Sequence, residues 1–150
     1  MNSGYLLDTS ILSLLAPGRP GPNDQLAGWL RERADTVFLS AVTVTEIEQG
    51  ICKLRRTGAT ERADRLTQWL DSVIAGGGAN ILAFDYRVGR LAGAISDRAM
   101  ADGRHPGFAD VAIAATAVAH DLGLLTRNGR HFAPLGVAFV DPVDGLPANS

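Results

Sequence analysis

The segment GYLLDTSIL, residues 4–12, runs apolar side chains straight into an acid and two hydroxyls, Asp8, Thr9 and Ser10. Two readings stand side by side. All three residue types accept backbone N–H bonds at a helix start, and polar groups at the end of a buried strand are also where ligands are held. A second pair of acids lies in SAVTVTEIEQG, residues 40–50. Glu46 and Glu48 stand about 200° apart around a helix, so they cannot both serve one site. Both flank the apolar stripe Val44, Ile47 and Ile51, which leaves the choice between them open, beside a reading in which both are solvated. The third acid, Asp110, stands in GFADVAIAATAVAHDLGLLTRNGRHF, residues 107–132. A carboxylate in a first helical turn gains about 0.3–1 kcal/mol from free N–H groups and the helix dipole, which is itself a sufficient structural reason for it. The same segment closes on a further polar cluster, Thr126, Arg127 and Asn128. Hydroxyl nucleophiles lack an evident base: His105 lies in a loop, His120 on a helix and His131 in a turn. All three read as non-catalytic, with His131 the best placed to touch a substrate.

The elements that must position these residues are short. YLLD (5–8), VFLS (37–40), ILAF (81–84), LGLLT (122–126) and VAFV (137–140) read as buried strands. Helical spacing of apolar residues runs through Asn23–Arg33, through Val44, Ile47, Ile51 and Leu54, and through Thr60–Ile74. Two more helices are predicted near Arg87–Met100 and Ala109–Asp121, with Gly123 as the C-terminal cap of the latter. GRPGP (18–22) and GGGAN (76–80) read as turns or loops, too short to link domains. Strands alternating with helices imply an α/β fold with a parallel sheet sandwiched by α-helices. In such a sheet ligands sit at the carboxyl ends of the strands, where Asp8, Ser40 and Thr126 all fall. The Ala-rich helix after Asp110 can pack closely on the sheet and bring that acid near the same edge.

The 150 residues suit one domain that buries about two thirds of its unfolded surface. A single cysteine, Cys52, leaves no internal disulfide, and no basic and apolar leader precedes the first strand, so a cytoplasmic location is expected. No apolar run is long enough to span a bilayer, and no membrane association is expected. The formal net charge of −2 argues against a broadly basic surface. Basic charge is carried almost wholly by arginine, with Lys53 the only lysine. Arginine suits bidentate phosphate contacts, although codon bias would give the same skew.

LLDTSIL, SAVTVTEIEQG, ADVAIAATAVAHDLGLLTRNGRHF and the closing VAFVDP resemble, in order and spacing, the PIN-domain nucleases, and within them the VapC toxins of bacterial toxin–antitoxin pairs. The resemblance covers about residues 4–142, within a single domain of residues 1–150, and its third segment is the most specific. It implies a PIN-like fold and a Mg²⁺-dependent endoribonuclease toxin that hydrolyses RNA phosphodiester bonds with a metal-activated water. By that resemblance Asp8, Glu46 and Asp110 form the catalytic, metal-holding triad, Glu46 being preferred to Glu48 because it precedes the EIxxG tail. Thr9 and Ser40 would be supporting hydroxyls beside the metal, and Thr126, Arg127 and Asn128 would complete the rim. The implied partners are an RNA substrate, a cognate VapB-type antitoxin whose C-terminal segment blocks the site, and a second copy of the chain in a homodimer.

Three carboxylates at one crevice repel one another and raise each other's pKa unless a cation neutralises them. An all-oxygen set without His or Cys favours Mg²⁺, with Mn²⁺ as the other candidate, over zinc. Such an ion polarises a phosphoryl oxygen and orients water for in-line attack, so no protein nucleophile is needed. The sequence departs from the family at one place: many members carry a fourth acid in the TRN region, where Asn128 and His131 stand here. That puts a second ion in doubt, and among the remaining acids (Asp85, Asp97, Asp102, Asp141) Asp141 is the one to watch. A phosphatase-like phosphoryl-transfer enzyme of the haloacid dehalogenase type would need an aspartate where Ser10 stands. A receiver-like module would need a lysine after a late strand, and Lys53 is in the wrong place. An inactive PIN scaffold that binds RNA or a protein stays open, although three intact acids argue against it. Arg55, Arg56, Arg62 and Arg65 cluster on the helical hairpin after Glu46, and Arg104, Arg127 and Arg130 could flank the crevice. They would attract phosphate or form a solvated face. Leu54 or Trp69 is the expected apolar surface for dimerisation.

Overall fold

Leu6 and Leu7 are consecutive and both buried, yet they belong to different hydrophobic clusters. Leu124 and Leu125 repeat the pattern in register on the neighbouring strand, because successive side chains of a strand point to opposite faces. A sheet buried on both sides follows, and its strands read as continuous apolar runs for that reason. The computed structural model describes residues 4–19, 21 and 24–148. Within them β1 (Tyr5–Leu7), β2 (Val37–Ser40), β3 (Ile81–Leu82), β4 (Gly123–Leu125) and β5 (Phe139–Val140) form one all-parallel sheet in the order β3-β2-β1-β4-β5. The five runs read as strands are these: β2 has the bounds of its run, β1 and β4 stop just before the polar Asp8 and Thr126, and β3 and β5 keep two residues each.

The helices are α1 (Thr9–Leu12), α2 (Asp24–Glu32), α3 (Ala41–Arg56), α4 (Thr60–Gly77), α5 (Tyr86–Ala101), α6 (Phe108–Ala119) and α7 (Gly129–Phe132). On one face α5 and α6 cover Leu6 and Leu124, with Val88, Ile95 and Ile113 against them. On the other α1 and α2 cover Leu7, Leu39 and Leu125, with Ile11, Leu26 and Trp29. Residues 111–117 of α6 are buried without a break. Ala112, Ala114, Ala115 and Ala117 leave this run little bulk, so the larger Val111 and Ile113 can be enclosed with them. The hairpin α3–α4 has a small core of its own, Ile51, Ala63 and Leu70, onto which Leu54 and Trp69 pack. The two residues expected to offer an apolar surface are therefore partly buried against the hairpin's own core and partly open.

Two local expectations are corrected. α4 continues through Gly76 and Gly77 and passes into a 3₁₀ turn over Gly78–Asn80, so GGGAN is not a loop. Asn80 is fixed there by its side-chain amide, which donates to the carbonyl of Val37 at 2.9 Å. Gly123 starts β4 instead of capping α6; the left-handed residue after α6 is Asp121, at φ 51°. Asn23, read as the start of α2, and parts of GRPGP lie outside the described residues. At Gly4 a side chain would meet the carbonyl oxygen of Thr36, so the approach of β1 to β2 requires glycine there.

Strand order fixes where a ligand can sit. The chain moves outward from β1 to β2 and β3, then returns to β4 on the other side of β1. The crevice between the carboxyl ends of β1 and β4 is thus the topological switch point. Asp8 follows β1 and Thr126 follows β4, so the register Leu7↔Leu125 sets them side by side.

Candidate active site

Asp8 occupies the N-cap position of α1, but its carboxylate makes no capping bond. Its backbone does the local work: Asp8 N–H donates to the carbonyl of Leu125 at 2.9 Å, and its own carbonyl accepts from Ile11. The side chain, only 3% exposed, accepts instead from the hydroxyls of Ser10 and Thr126, each at 2.8 Å from Oδ2. Capping is therefore not what Asp8 is for. Ser10 and Thr126 are held in turn, since Ser10 Oγ accepts from Arg127 N–H at 3.1 Å and Thr126 Oγ1 accepts from Asn128 N–H at 2.9 Å. A buried carboxylate with both donors on one oxygen keeps its other oxygen, Oδ1, for a different partner.

Glu46 reaches the same place from α3. One helical turn before it lies Thr43, fully buried, and both face Thr9. Thr9 Oγ1 donates to Glu46 Oε1 at 2.6 Å and stands 3.1 Å from Thr43 Oγ1. Glu48 is exposed on another side of α3, with its Oε1 4.0 Å from Cys52 Sγ. Ser40 does not line the pocket as a supporting hydroxyl. It caps α3, its Oγ accepting from Val42 N–H at 3.0 Å, and so sets where the helix carrying Glu46 begins.

Asp110 sits in the first turn of α6, where its Oδ2 lies 3.4 Å from His131 Nδ1. Burial pushes its carboxyl above the usual value, the neighbouring His131 opposes that shift, and the negative charge of Asp8 adds to it. These acids line one pocket of about 560 Å³ at the switch point, with Arg19, Arg127 and Asn128 on the wall. Thr126 lies beneath it, wholly buried, as the support of Asp8. Among the described residues no three His, Cys, Asp or Glu side chains are gathered closely enough to hold a metal ion as they stand. Asp8, Glu46 and Asp110 share the pocket, but each is turned to a partner of its own.

The donor set nevertheless suits a hard cation: three carboxylates and the Asn128 amide, with no thiolate. Asp141, watched as a fourth acid, is not on this wall; its Oδ1 accepts from Val143 N–H in the turn after β5. Asp85 caps α5, accepting from Arg87 and Val88 N–H. Sequence reasoning missed three participants. Thr43 looks like one more residue of a helix interior, Arg19 lies in a Gly/Pro-rich segment without periodicity, and Ser13 gives no signal apart from its place in the 3₁₀ turn after α1.

A PIN domain family model matches residues 5–136 of the chain. Toxin FitB of Neisseria gonorrhoeae is 36% identical over 140 residues, covering 91% of this chain and 96% of that protein. VapC ribonuclease Y4jK of Sinorhizobium fredii is 30% identical over 142 residues, with 91% and 96% covered. The crystal structure of FitAcB from Neisseria gonorrhoeae matches with a TM-score of 0.78 at 33% identity, covering 92% of this chain and 97% of that one.

Proposed function

The chain belongs to the PIN-domain family, and from that premise we propose that it is a VapC-type toxin, a divalent-metal-dependent endoribonuclease that hydrolyses RNA phosphodiester bonds. The observation that carries this reading is the sharing of one pocket by Asp8, Glu46 and Asp110 at the switch point of the sheet. In this reading those carboxylates hold Mg²⁺ or Mn²⁺. When bound, the ion supplies Lewis-acid polarisation of the phosphodiester and a water of lowered pKa.

The chain's own residues do the positioning. Ser10 and Thr126 lock one oxygen of Asp8, leaving Oδ1 for the ion. Thr9 orients Glu46, and the threonines that support the two acids, Thr43 and Thr126, are fully buried. Arg19 and Arg127 on the wall attract the phosphodiester, and Asn128 adds a neutral oxygen donor.

The partners follow from the same surface. A groove of about 310 Å³ starts at Thr9 and Glu46 and runs along the hairpin past Ile47, Leu54 and Trp69. It suits the C-terminal segment of a VapB-type antitoxin, apolar along the hairpin and ending over the carboxylates. Homodimerisation would use Phe84, Tyr86 and Phe108, all three exposed, with the Phe84 and Phe108 rings 5.5 Å apart. No helix of the described residues is long and apolar enough to cross a membrane; we place the protein in the cytoplasm, where RNA and antitoxin are met.

The test is incubation of the purified chain with total RNA, followed by mapping of fragment ends. Wild type gives discrete cuts that a chelator abolishes and Mg²⁺ restores, and Asp8→Asn gives none. Undiminished cutting by Asp8→Asn, or in chelator, overturns the reading. If wild type binds RNA but does not cut it, the inactive scaffold replaces it.

A further inference from the structure

A second hollow, of about 350 Å³, opens on the far side of Asp110. Asp110 belongs to both walls, so the two cavities meet at one residue. Their chemistry is opposite. The first gathers three carboxylates against two arginines, Arg19 and Arg127; the second is lined by Arg104, His105, Arg130 and His131, with Asp110 as its only acid. On a chain of net charge −2 this is a reversal of local field within one side chain's width.

The basic groups come from two separate elements that the fold brings together. Arg104 and His105 lie in the connection between α5 and α6, where Arg104 N–H donates to the carbonyl of Ala99 at 2.9 Å and fixes the loop's departure. Arg130 and His131 lie on α7, directly after Asn128 of the first pocket. Arg55 shows what a merely structural arginine does in this protein: it pairs with Asp64 at 2.8 Å. Among the described residues neither Arg104 nor Arg130 has such a pair.

We propose that this hollow is a phosphate subsite, in which Arg104 and Arg130 hold a backbone phosphate of the RNA strand next to the one that reacts. The inference rests on the ribonuclease reading and extends it to how the strand is threaded. A strand whose reacting phosphodiester lies among Asp8, Glu46 and Asp110 and which passes Asp110 enters this hollow next. Planar guanidinium groups from two sides match the phosphate oxygens that such a strand presents. The subsite is sequence-blind, so it sets binding and register without reading bases.

The test is steady-state cleavage of a short single-stranded RNA by the full chain at several salt concentrations. Arg104→Ala with Arg130→Ala raises KM about tenfold, the usual worth of a charge-assisted contact, with kcat within about twofold. The log–log salt slope of kcat/KM falls by about 0.7, the value for one phosphate on a single strand. Arg90→Ala, at an exposed arginine of α5, leaves both quantities unchanged, and Arg104→Lys with Arg130→Lys gives an intermediate KM. Should the double Ala variant keep the wild-type KM and slope while wild type cleaves, the subsite is wrong and the nuclease reading stands. Loss of kcat at unchanged KM equally overturns it, and a wild type that cleaves no RNA removes both.

Discussion

Asp8 shows how much a single carboxylate is constrained here: two hydroxyls and a backbone ladder fix it at the switch point. Its role was only half legible. In the sequence, Asp-Thr-Ser after a strand reads equally as a cap or a site, and only the register of β1 against β4 shows that Thr126, 118 residues away, takes up the side chain. The choice of Glu46 over Glu48 came from the EIxxG context, since helical spacing alone put both beside the apolar stripe. Asp110 carries its own prediction. Its carboxyl is raised in the fold, mainly by burial, so the charged form is the disfavoured one. The stability linked to this group is fully present below its unfolded pKa and lost as pH rises through the folded pKa. Thermal melts of the metal-free protein across the acidic range should therefore show Asp110→Asn relatively more stable at neutral pH, with the advantage gone at low pH. Asn128 carries another. It lines the pocket where relatives with a fourth acid would add charge, so Asn128→Asp should tighten binding of a second divalent ion and lower the Mg²⁺ midpoint of cleavage. An unchanged stoichiometry and midpoint would assign Asn128 to the strand of substrate instead.

At the scale of elements, the strands and the long helices were readable because β1, β2 and β4 are apolar on both faces and α2–α5 keep a 3.6-residue stripe. The Ala-rich helix was readable as a close-packing element, and its middle, residues 111–117, is buried against the sheet. What composition hid was how ends are made. Three glycines in a row suggest a loop, yet α4 runs through two of them because the neighbouring β2–β3 edge and Asn80 anchor its end. Ser40 looked like a site hydroxyl because it ends a strand; it is a buried cap that aims α3. Ser40→Ala should cost about 1 kcal/mol, a fall of about 2–4 °C in Tm. It should also weaken cleavage more than Glu48→Gln does, because the start of α3 sets the reach of Glu46. A Tm loss with unaltered cleavage would mean that α3 keeps its position without the cap.

For the whole molecule, the most exposed of the large apolar side chains, Tyr86 and Phe108, lie at the starts of α5 and α6 and not on the α3–α4 hairpin. Tyr86 is 73% and Phe108 68% exposed, and Phe84 packs beside Phe108. Phe108→Asp should convert a dimer to a monomer in sedimentation velocity while leaving the melting curve close to wild type; a wild type that sediments as a monomer refutes the interface. The proposed function depends on Asp8, Glu46 and Asp110 closing on one divalent ion, because substrate positioning, antitoxin blockade and the basic hollow would all be arranged around that ion. Titration calorimetry with Mn²⁺ on the wild type, Asp8→Asn and Glu48→Gln measures that closure without RNA. The predicted result is one firm site in wild type and Glu48→Gln and none in Asp8→Asn; a firm site that survives Asp8→Asn, or that Glu48→Gln removes, would contradict it.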